Sequence, residues 1–211
     1  MKIIPVVAGI LETNCYLVVN ETTRTALLVD VPPESKEIII NKLSEEGCAL
    51  EAILLTHTHW DHSADAHQLK QETQAPLYVH SADYYRLLEP MKHTIFELDF
   101  TIEPCEADFK LEGGETLCFQ TTTLRVLHTP GHTEGSVAFV CDDLKCAFVG
   151  DTIFYLSVGR TDLPGGDPAL LQESLGRILN ELPEDYILYV GHNQETTVGF
   201  EKNYNPYLML I

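Results

Sequence analysis

The chain has few positive charges, no long apolar run and no paired-cysteine motif. Only 13 of its 211 residues are Lys or Arg, against 32 Asp or Glu, which gives a formal net charge of −19 at pH 7. Such a chain repels a phosphate backbone and gains nothing from counterion release, so we expect no nucleic-acid partner. No segment approaches the roughly 18–20 uninterrupted apolar residues of a transmembrane helix, so we expect no membrane association.

The cysteines and the N-terminus indicate a reducing compartment. None of the six cysteines belongs to a C-x-x-C pair, and most lie inside apolar runs, which favours buried reduced thiols over disulfides or metal ligands. The apolar N-terminus is interrupted by Pro5 and Gly9, and no small-residue cleavage site follows. We therefore predict a first strand rather than a signal peptide, and a cytoplasmic protein.

The length and the order of elements predict one α/β domain over residues 1–211. Apolar runs bounded by turn residues predict strands at 2–7, 14–19, 25–31, 52–55, 77–80, 116–120, 122–128, 137–140, 146–149 and 186–190. Helical patterns cover 34–46, 63–73, 82–88, 167–182 and 195–202, with Gly47 and Pro90 as stops, Asp167-Pro168 as the N-cap and first position of the fourth helix, and a hairpin turn at 112–115. Strands and helices in this order favour sheets packed between outer helices.

A histidine-rich loop follows the predicted strand at 52–55. Within seven residues after Leu55 the chain presents His57, His59, Asp61 and His62. Imidazole nitrogens and carboxylate oxygens are ligands for Zn²⁺, Fe²⁺ or Mn²⁺, and one loop holds all four. The alternative is a histidine-rich surface loop, which would not require histidines and an aspartate at this spacing.

Three later strand ends also carry a histidine or an aspartate beside glycine: His132, Asp151 and His192. Because a sheet places successive strand ends along its edges, residues distant in sequence can meet there. Five imidazoles and two carboxylates are more donors than one tetrahedral ion uses. Two ions that share a bridging carboxylate and a bridging water would account for them.

These motifs together resemble the metallo-β-lactamase superfamily, in its glyoxalase II-like branch. The resemblance rests on T-H-T-H-x-D-H at 56–62, T-P-G-H-T-x-G-S at 129–136, G-D-T-x-F at 150–154 and G-H at 191–192. It implies an αββα four-layer sandwich with the site at one edge. It also implies His57, His59 and His132 at a first metal, Asp61, His62 and His192 at a second, and Asp151 as the bridge.

The implied activity is hydrolysis of a small thioester such as an S-acylglutathione. Two divalent ions, zinc before iron or manganese, lower the pKa of a bound water to about 7, so that a bridging hydroxide can attack a thioester carbonyl. Asp61 would orient this nucleophile or take its proton. The chain ends soon after His192, so we expect the short form without the C-terminal helical domain that grips glutathione in glyoxalase II.

Two further residues are candidates for substrate contact. Trp60 lies inside the ligand loop and either lines the mouth of the site or packs in the core. Arg160 follows Asp151 in an irregular, glycine-rich stretch, where it binds an anionic substrate group or pairs with Asp162 or Asp167. We expect structural roles for His67, His80, His93 and His128.

The sequence leaves other functions open. The persulfide dioxygenases share the H-x-H-x-D-H loop and a G-R-T-D stretch like that at 159–162 but use one iron, so a mononuclear-iron oxidoreductase is the main alternative. A purely structural metal site is less favoured, because the chain has more candidate ligands than a closed site uses. A nuclease is less favoured because the chain is acidic. A β-lactam substrate is also less favoured, because secreted β-lactamases of the superfamily have no carboxylate at the position of Asp151. The oligomeric state is not predicted.

Overall fold

The computed structural model describes residues 1–208, which form two compact units. The first unit comprises Met1–Leu111 and Phe119–Thr122, and the second comprises Glu112–Cys118 and the chain from Thr123 onward. The single domain expected over 1–211 stays a prediction, and its last three residues lie outside the described part. Among the described residues, no helix is long and apolar enough to cross a membrane.

The first unit contains a six-stranded mixed sheet. Its strands, in spatial order, are β1 (Lys2–Ala8), β2 (Thr13–Asn20), β3 (Thr25–Val29), β4 (Ala49–Leu54), β5 (Leu77–His80) and β6 (Phe109–Leu111). The first three strands form an antiparallel meander, whereas β3 to β6 are parallel. Since parallel strands end at the same edge, the segments that leave β3, β4 and β5 lie side by side.

Five helices belong to this unit: α1 (Lys36–Glu46), α2 (Trp60–Ser63), α3 (Ala66–Thr73), α4 (Tyr84–Leu88) and α5 (Pro90–His93). Helix α1 ends as predicted at Gly47, which is left-handed with φ +62°. Its buried residues Ile39 and Leu43 join a core cluster with Leu28 and Ile53 of the sheet.

One helix prediction in this unit was wrong in detail. The helix expected at 63–73 is divided into α2 and α3, so Asp61 and His62 are themselves helical. The helix expected at 82–88 ends at Leu88, before Pro90, as predicted; Pro90 also begins the next helix, α5, because the ring fixes φ near the helical value and the first helical position needs no N–H donor.

The second unit contains a second six-stranded mixed sheet. Its elements along the chain are β7 (Thr116–Cys118), β8 (Thr123–His128), β9 (Val137–Cys141), β10 (Cys146–Gly150), β11 (Ile153–Phe154), β12 (Ser157–Val158), α6 (Pro168–Glu181), β13 (Ile187–Val190), β14 (Thr196–Thr197) and α7 (Val198–Tyr204). The order is β14-β13-β10-β9-β8-β7, with β11 and β12 in a separate two-stranded sheet. The parallel pair β10 and β13 ends next to Asp151 and His192.

Helix α6 covers this second sheet. Leu171, Leu175 and Ile178 are buried with Val149 and Leu188 in one cluster. The predicted N-cap is confirmed: the side chain of Asp167 accepts hydrogen bonds from the backbone N–H groups of Ala169 and Leu170, and Pro168 follows at the first helical position.

Two further expectations were wrong. The turn at 112–115 is not a hairpin, because it connects β6 to β7, which belong to different sheets. The segment from Glu195 does not start a helix: Thr196 and Thr197 first pair with β13, and α7 then begins where the Thr197 hydroxyl accepts from the N–H of Phe200.

All six cysteines are unbridged, as expected. Four of them are buried, Cys48 is half-buried, and Cys118, contrary to expectation, is exposed. Burial raises the pKa of the Cys105 thiol to about 11, so this side chain stays protonated and unreactive at neutral pH.

Candidate metal centre

The predicted ligand loop follows β4 and turns directly into α2. His57, Asp61 and His62 are buried, and His59 is half-buried. The His57 ring centroid lies 4.9 Å from that of His59 and 4.1 Å from that of His62. The short helix brings Asp61 and His62 back towards His57, so one segment presents four donors together.

A buried aspartate that we did not predict, Asp30, supports this loop. It follows β3 and is 2% exposed. Its carboxylate accepts hydrogen bonds from the backbone N–H and the hydroxyl of Thr56 and lies 2.8 Å from Nδ1 of His62. Since the Thr56 hydroxyl gives its proton to Asp30, it accepts from Nδ1 of His57, 3.2 Å away. Both imidazoles therefore carry their lone pair on Nε2.

The loop is also held from its other side. The N–H of Thr58, between His57 and His59, donates to the carboxylate of Asp83 at 3.1 Å. No local pattern signals Asp30 or Asp83, because each is a single aspartate after a strand. The parallel neighbours β3 and β5 of the ligand-bearing strand β4 are what place them there.

The second unit gathers the other three predicted ligands. Nε2 of His132 and Nε2 of His192 each lie 3.5 Å from Oδ2 of Asp151. Nδ1 of His132 donates to the backbone carbonyl of Arg160 at 2.8 Å, which again leaves the lone pair on Nε2. Oδ2 of Asp151 is thus equally close to one imidazole of each predicted ligand set.

Within residues 1–208, three groups of side chains have the composition and spacing to hold a metal ion: His57, His59 and His132; His57, His62 and Asp151; and Asp61, His62 and His192. In each group, one ligand atom per residue lies within 4.8 Å of the others. The first and third groups coincide with the two ligand sets that the resemblance implied. The second links Asp151 to one histidine of each set. Imidazole and carboxylate donors fit Zn²⁺, Fe²⁺ or Mn²⁺.

Arg160 has a partner in its own loop. Its guanidinium forms two hydrogen bonds to Asp162, with Nε–Oδ1 and NH2–Oδ2 distances of 2.6 and 2.8 Å, and this contact holds the pKa of Asp162 near 2. The Arg160 side chain is nonetheless 55% exposed, so exchanging Asp162 for another anion costs little.

Trp60 is 7% exposed and packs in a small apolar cluster with Ala64 and Ile102. Its ring centroid lies 6.4 Å from that of Phe96 and 6.2 Å from that of Phe100, and both phenylalanines are partly exposed. The indole therefore contributes to packing and supports an exposed aromatic surface next to the ligand loop.

The remaining histidines have structural contacts. His128 lies 2.9 Å from the carbonyl of Glu134, and His67 lies 2.7 Å from that of Pro104. His80 accepts from the N–H of Ala82.

Two mixed sheets with grouped histidine and aspartate donors after their strands define a metal-binding α/β protein. The sequence matches the family model described as metallo-beta-lactamase superfamily over residues 8–192. The chain belongs to this superfamily, and the predicted α/β metallo-β-lactamase fold is confirmed.

Three similar proteins span nearly the whole chain. The crystal structure of the BLEG-1 B3 metallo-beta-lactamase is 34% identical, with a TM-score of 0.89 over 98% of this chain and 99% of that one. The crystal structure of TTHA1623 in a di-iron-bound form is 36% identical, with a TM-score of 0.86 over 97% and 100%. Hydroxyacylglutathione hydrolase GloC of Haemophilus influenzae is 36% identical over 99% of this chain and 97% of its own.

Proposed function

We propose that this protein is a dinuclear metallo-hydrolase that cleaves small thioesters, with S-acylglutathiones as the first candidates. The observation that carries the proposal is the presence of all seven predicted donors in three groups with metal-ligand spacing. The similarity to GloC of Haemophilus influenzae supports a hydroxyacylglutathione-type substrate. The di-iron form of TTHA1623 supports two ions per chain.

We assign His57, His59 and His132 to one ion, Asp61, His62 and His192 to the other, and Asp151 to both. When bound, two divalent cations, zinc first, lower the pKa of water to near 7 and offset negative charge on a carbonyl oxygen. Asp61 and Asp151 carry two negative charges against the four positive charges of such a pair, which leaves the site attractive to an oxyanion.

Asp61 also has a catalytic role in this proposal. Its Oδ2 accepts a hydrogen bond from the hydroxyl of Thr13 at 3.2 Å, which helps to orient the carboxylate. From this position Asp61 orients the attacking water or takes its proton as the tetrahedral intermediate forms. On collapse, the carbon–sulfur bond breaks and the thiolate leaves.

Arg160 and Trp60 are the proposed substrate-contacting residues. The exposed guanidinium can exchange Asp162 for a carboxylate of the thiol portion, and the aromatic surface that Trp60 supports suits an apolar acyl group. A rise in KM on Arg160→Ala with S-lactoylglutathione, but not with an uncharged thioester, would support the first contact.

Metal analysis combined with turnover tests the proposal. Purified protein should hold two ions per chain and hydrolyse S-lactoylglutathione or a simpler thioester. Asp151→Ala should lose at least one ion and reduce kcat about 100-fold or more, because the proposed shared ligand is gone. Full retention of both ions and of activity in Asp151→Ala would refute the bridge. One iron per chain with oxygen consumption on glutathione persulfide would replace hydrolysis by the mononuclear-iron alternative.

The similarity to BLEG-1 favours β-lactam hydrolysis as a second candidate function. The same centre could direct water at a strained amide, and the two substrates can be compared on one preparation. A kcat/KM for a cephalosporin above that for every thioester tested would make the β-lactam the substrate class.

A further inference from the structure

The structure assigns a positioning role to Asp83 and Arg86: this buried ion pair holds the backbone between His57 and His59 in the geometry that binds metal. The inference rests on the proposed metal centre and is independent of the substrate.

The parallel strands explain how Asp83 reaches the ligand loop. Strand β5 pairs with β4 in parallel register, Ile53 opposite Leu77 and Leu54 opposite Tyr78. Both strands therefore end at the same edge, where β4 continues into Thr58 and β5 continues through one short turn into Asp83. The contact depends on topology, since the two residues are 25 positions apart.

Asp83 holds Thr58 at two points. The N–H of Thr58 donates to Oδ2 of Asp83 at 3.1 Å, and its hydroxyl donates to the main-chain carbonyl of Asp83 at 3.0 Å. Thr58 is 4% exposed and Asp83 is fully buried, so neither contact competes with bulk water. Since Thr58 separates two proposed ligands, a rotation of its peptide would move both imidazoles.

Arg86 lets a charged carboxylate occupy this buried position. Its NH1 lies 2.8 Å from Oδ1 of Asp83, and Arg86 itself is only 4% exposed. The two oxygens thus have separate tasks, with Oδ1 on Arg86 and Oδ2 on Thr58. An amide in place of the carboxylate has one acceptor oxygen and cannot serve both donors.

The test is the affinity of the folded protein for Co²⁺, measured by chelator competition after removal of endogenous metal and below the unfolding temperature. We expect Asp83→Asn to bind Co²⁺ about 10–100-fold more weakly than wild type, with altered visible absorption bands. Thr58→Val should weaken binding less, and Thr58→Ser, which keeps the hydroxyl, should restore it. Ile39→Val, a core truncation in α1, is the matched control: it should lower the unfolding temperature and leave Co²⁺ affinity and spectrum unchanged.

The outcomes separate the two hypotheses. Wild-type affinity and spectrum in Asp83→Asn, at any loss of unfolding temperature, would show a merely structural ion pair and overturn the inference. If Asp83→Asn does not fold, equal affinities for Thr58→Val, Thr58→Ser and wild type would overturn it instead. Wild-type protein that binds no Co²⁺ would refute the proposed metal centre itself.

Discussion

At the scale of single residues, the proposed centre depends on which nitrogen each imidazole presents. His57, His62 and His132 direct Nδ1 at three different oxygens, of a hydroxyl, a carboxylate and a backbone carbonyl. Each oxygen fixes both the tautomer and the plane of its ring, so Nε2 is the nitrogen that faces the other donors. Three different partners all leave Nε2 as the nitrogen that can bind a metal, which indicates that these side chains are preorganised as ligands.

Asp30 contacts both Thr56 and His62, and its removal gives the first prediction. Asp30→Ala leaves the N–H of Thr56 and Nδ1 of His62 without their acceptor in a buried site. We expect a loss of about 1–3 kcal/mol in the free energy of unfolding, measured in urea without metal, and a 10–100-fold loss of metal affinity.

Asp185→Ala is the control for this prediction, because that carboxylate pairs with Lys145 at the exposed surface. It should change the free energy of unfolding by no more than about 1 kcal/mol and leave metal affinity as it is. If Asp30→Ala and Asp185→Ala behaved alike in both measurements, the proposed support of the ligand loop would be wrong.

The ligand candidates could be predicted from sequence, but the aspartates that support them could not. His57 to His62 and the glycine-flanked His132, Asp151 and His192 combine unusual residue types with strand ends, which is a local signal. Asp30 and Asp83 acquire their roles only when β3, β4 and β5 lie parallel in one sheet. Strand order is a long-range property, and no window of sequence contains it.

At the scale of elements, the loop that carries His132 packs against helix α6. The N–H of Asp167 donates to the carbonyl of Gly131, and the hydroxyl of Ser174 donates to that of Pro130. Gly131 has φ +134°, and a Cβ there would lie 2.2 Å from the backbone nitrogen of Leu171. The absence of a side chain at 131 is what lets the helix approach the ligand loop.

Gly131→Ala should therefore lower the free energy of unfolding by about 2–4 kcal/mol, since the methyl group meets helix backbone and the positive φ adds strain. Gly176→Ala is a matched control within α6, because nothing lies within 4 Å of a Cβ at that position. Alanine there should raise stability by up to about 1 kcal/mol. Urea unfolding measures both, and a neutral Gly131→Ala would contradict the close approach.

The predictions of helices, strands and turns were correct where local sequence signals were strong and wrong where strand pairing determined the structure. The Asp167-Pro168 cap and the Gly47 stop marked their helices correctly. The short strands β11, β12 and β14 have two residues each and exist only through their partners. The turn at 112–115 has residues typical of a hairpin turn, but the two strands that it joins pair with other strands and not with each other.

At the scale of the whole molecule, the order of the elements predicted the class of protein. The alternation of strands and helices indicated α/β, which the family and the solved relatives confirm. The chain nevertheless divides into two compact units, each with one six-stranded mixed sheet and its own core cluster. Segment lengths and periodicities along the chain do not record which sheet a strand joins.

The net charge of −19 gives the last prediction. At pH 7 the metal-free chain repels itself, and salt shortens the range of that repulsion from about 10 Å at 0.1 M to about 3 Å at 1 M. Salt also weakens the exposed ion pairs, but each is worth at most about 1 kcal/mol and the unbalanced negative charges outnumber them. We therefore expect 1 M NaCl to raise the unfolding temperature of chelator-treated protein by about 2–4 °C at pH 7, equivalent to about 1 kcal/mol. Near pH 5 the net charge is small, because the sequence pI is about 4.6, and the same salt should have no effect or a destabilising one. An equal rise at both pH values would mean that salt acts through apolar surface rather than through charge.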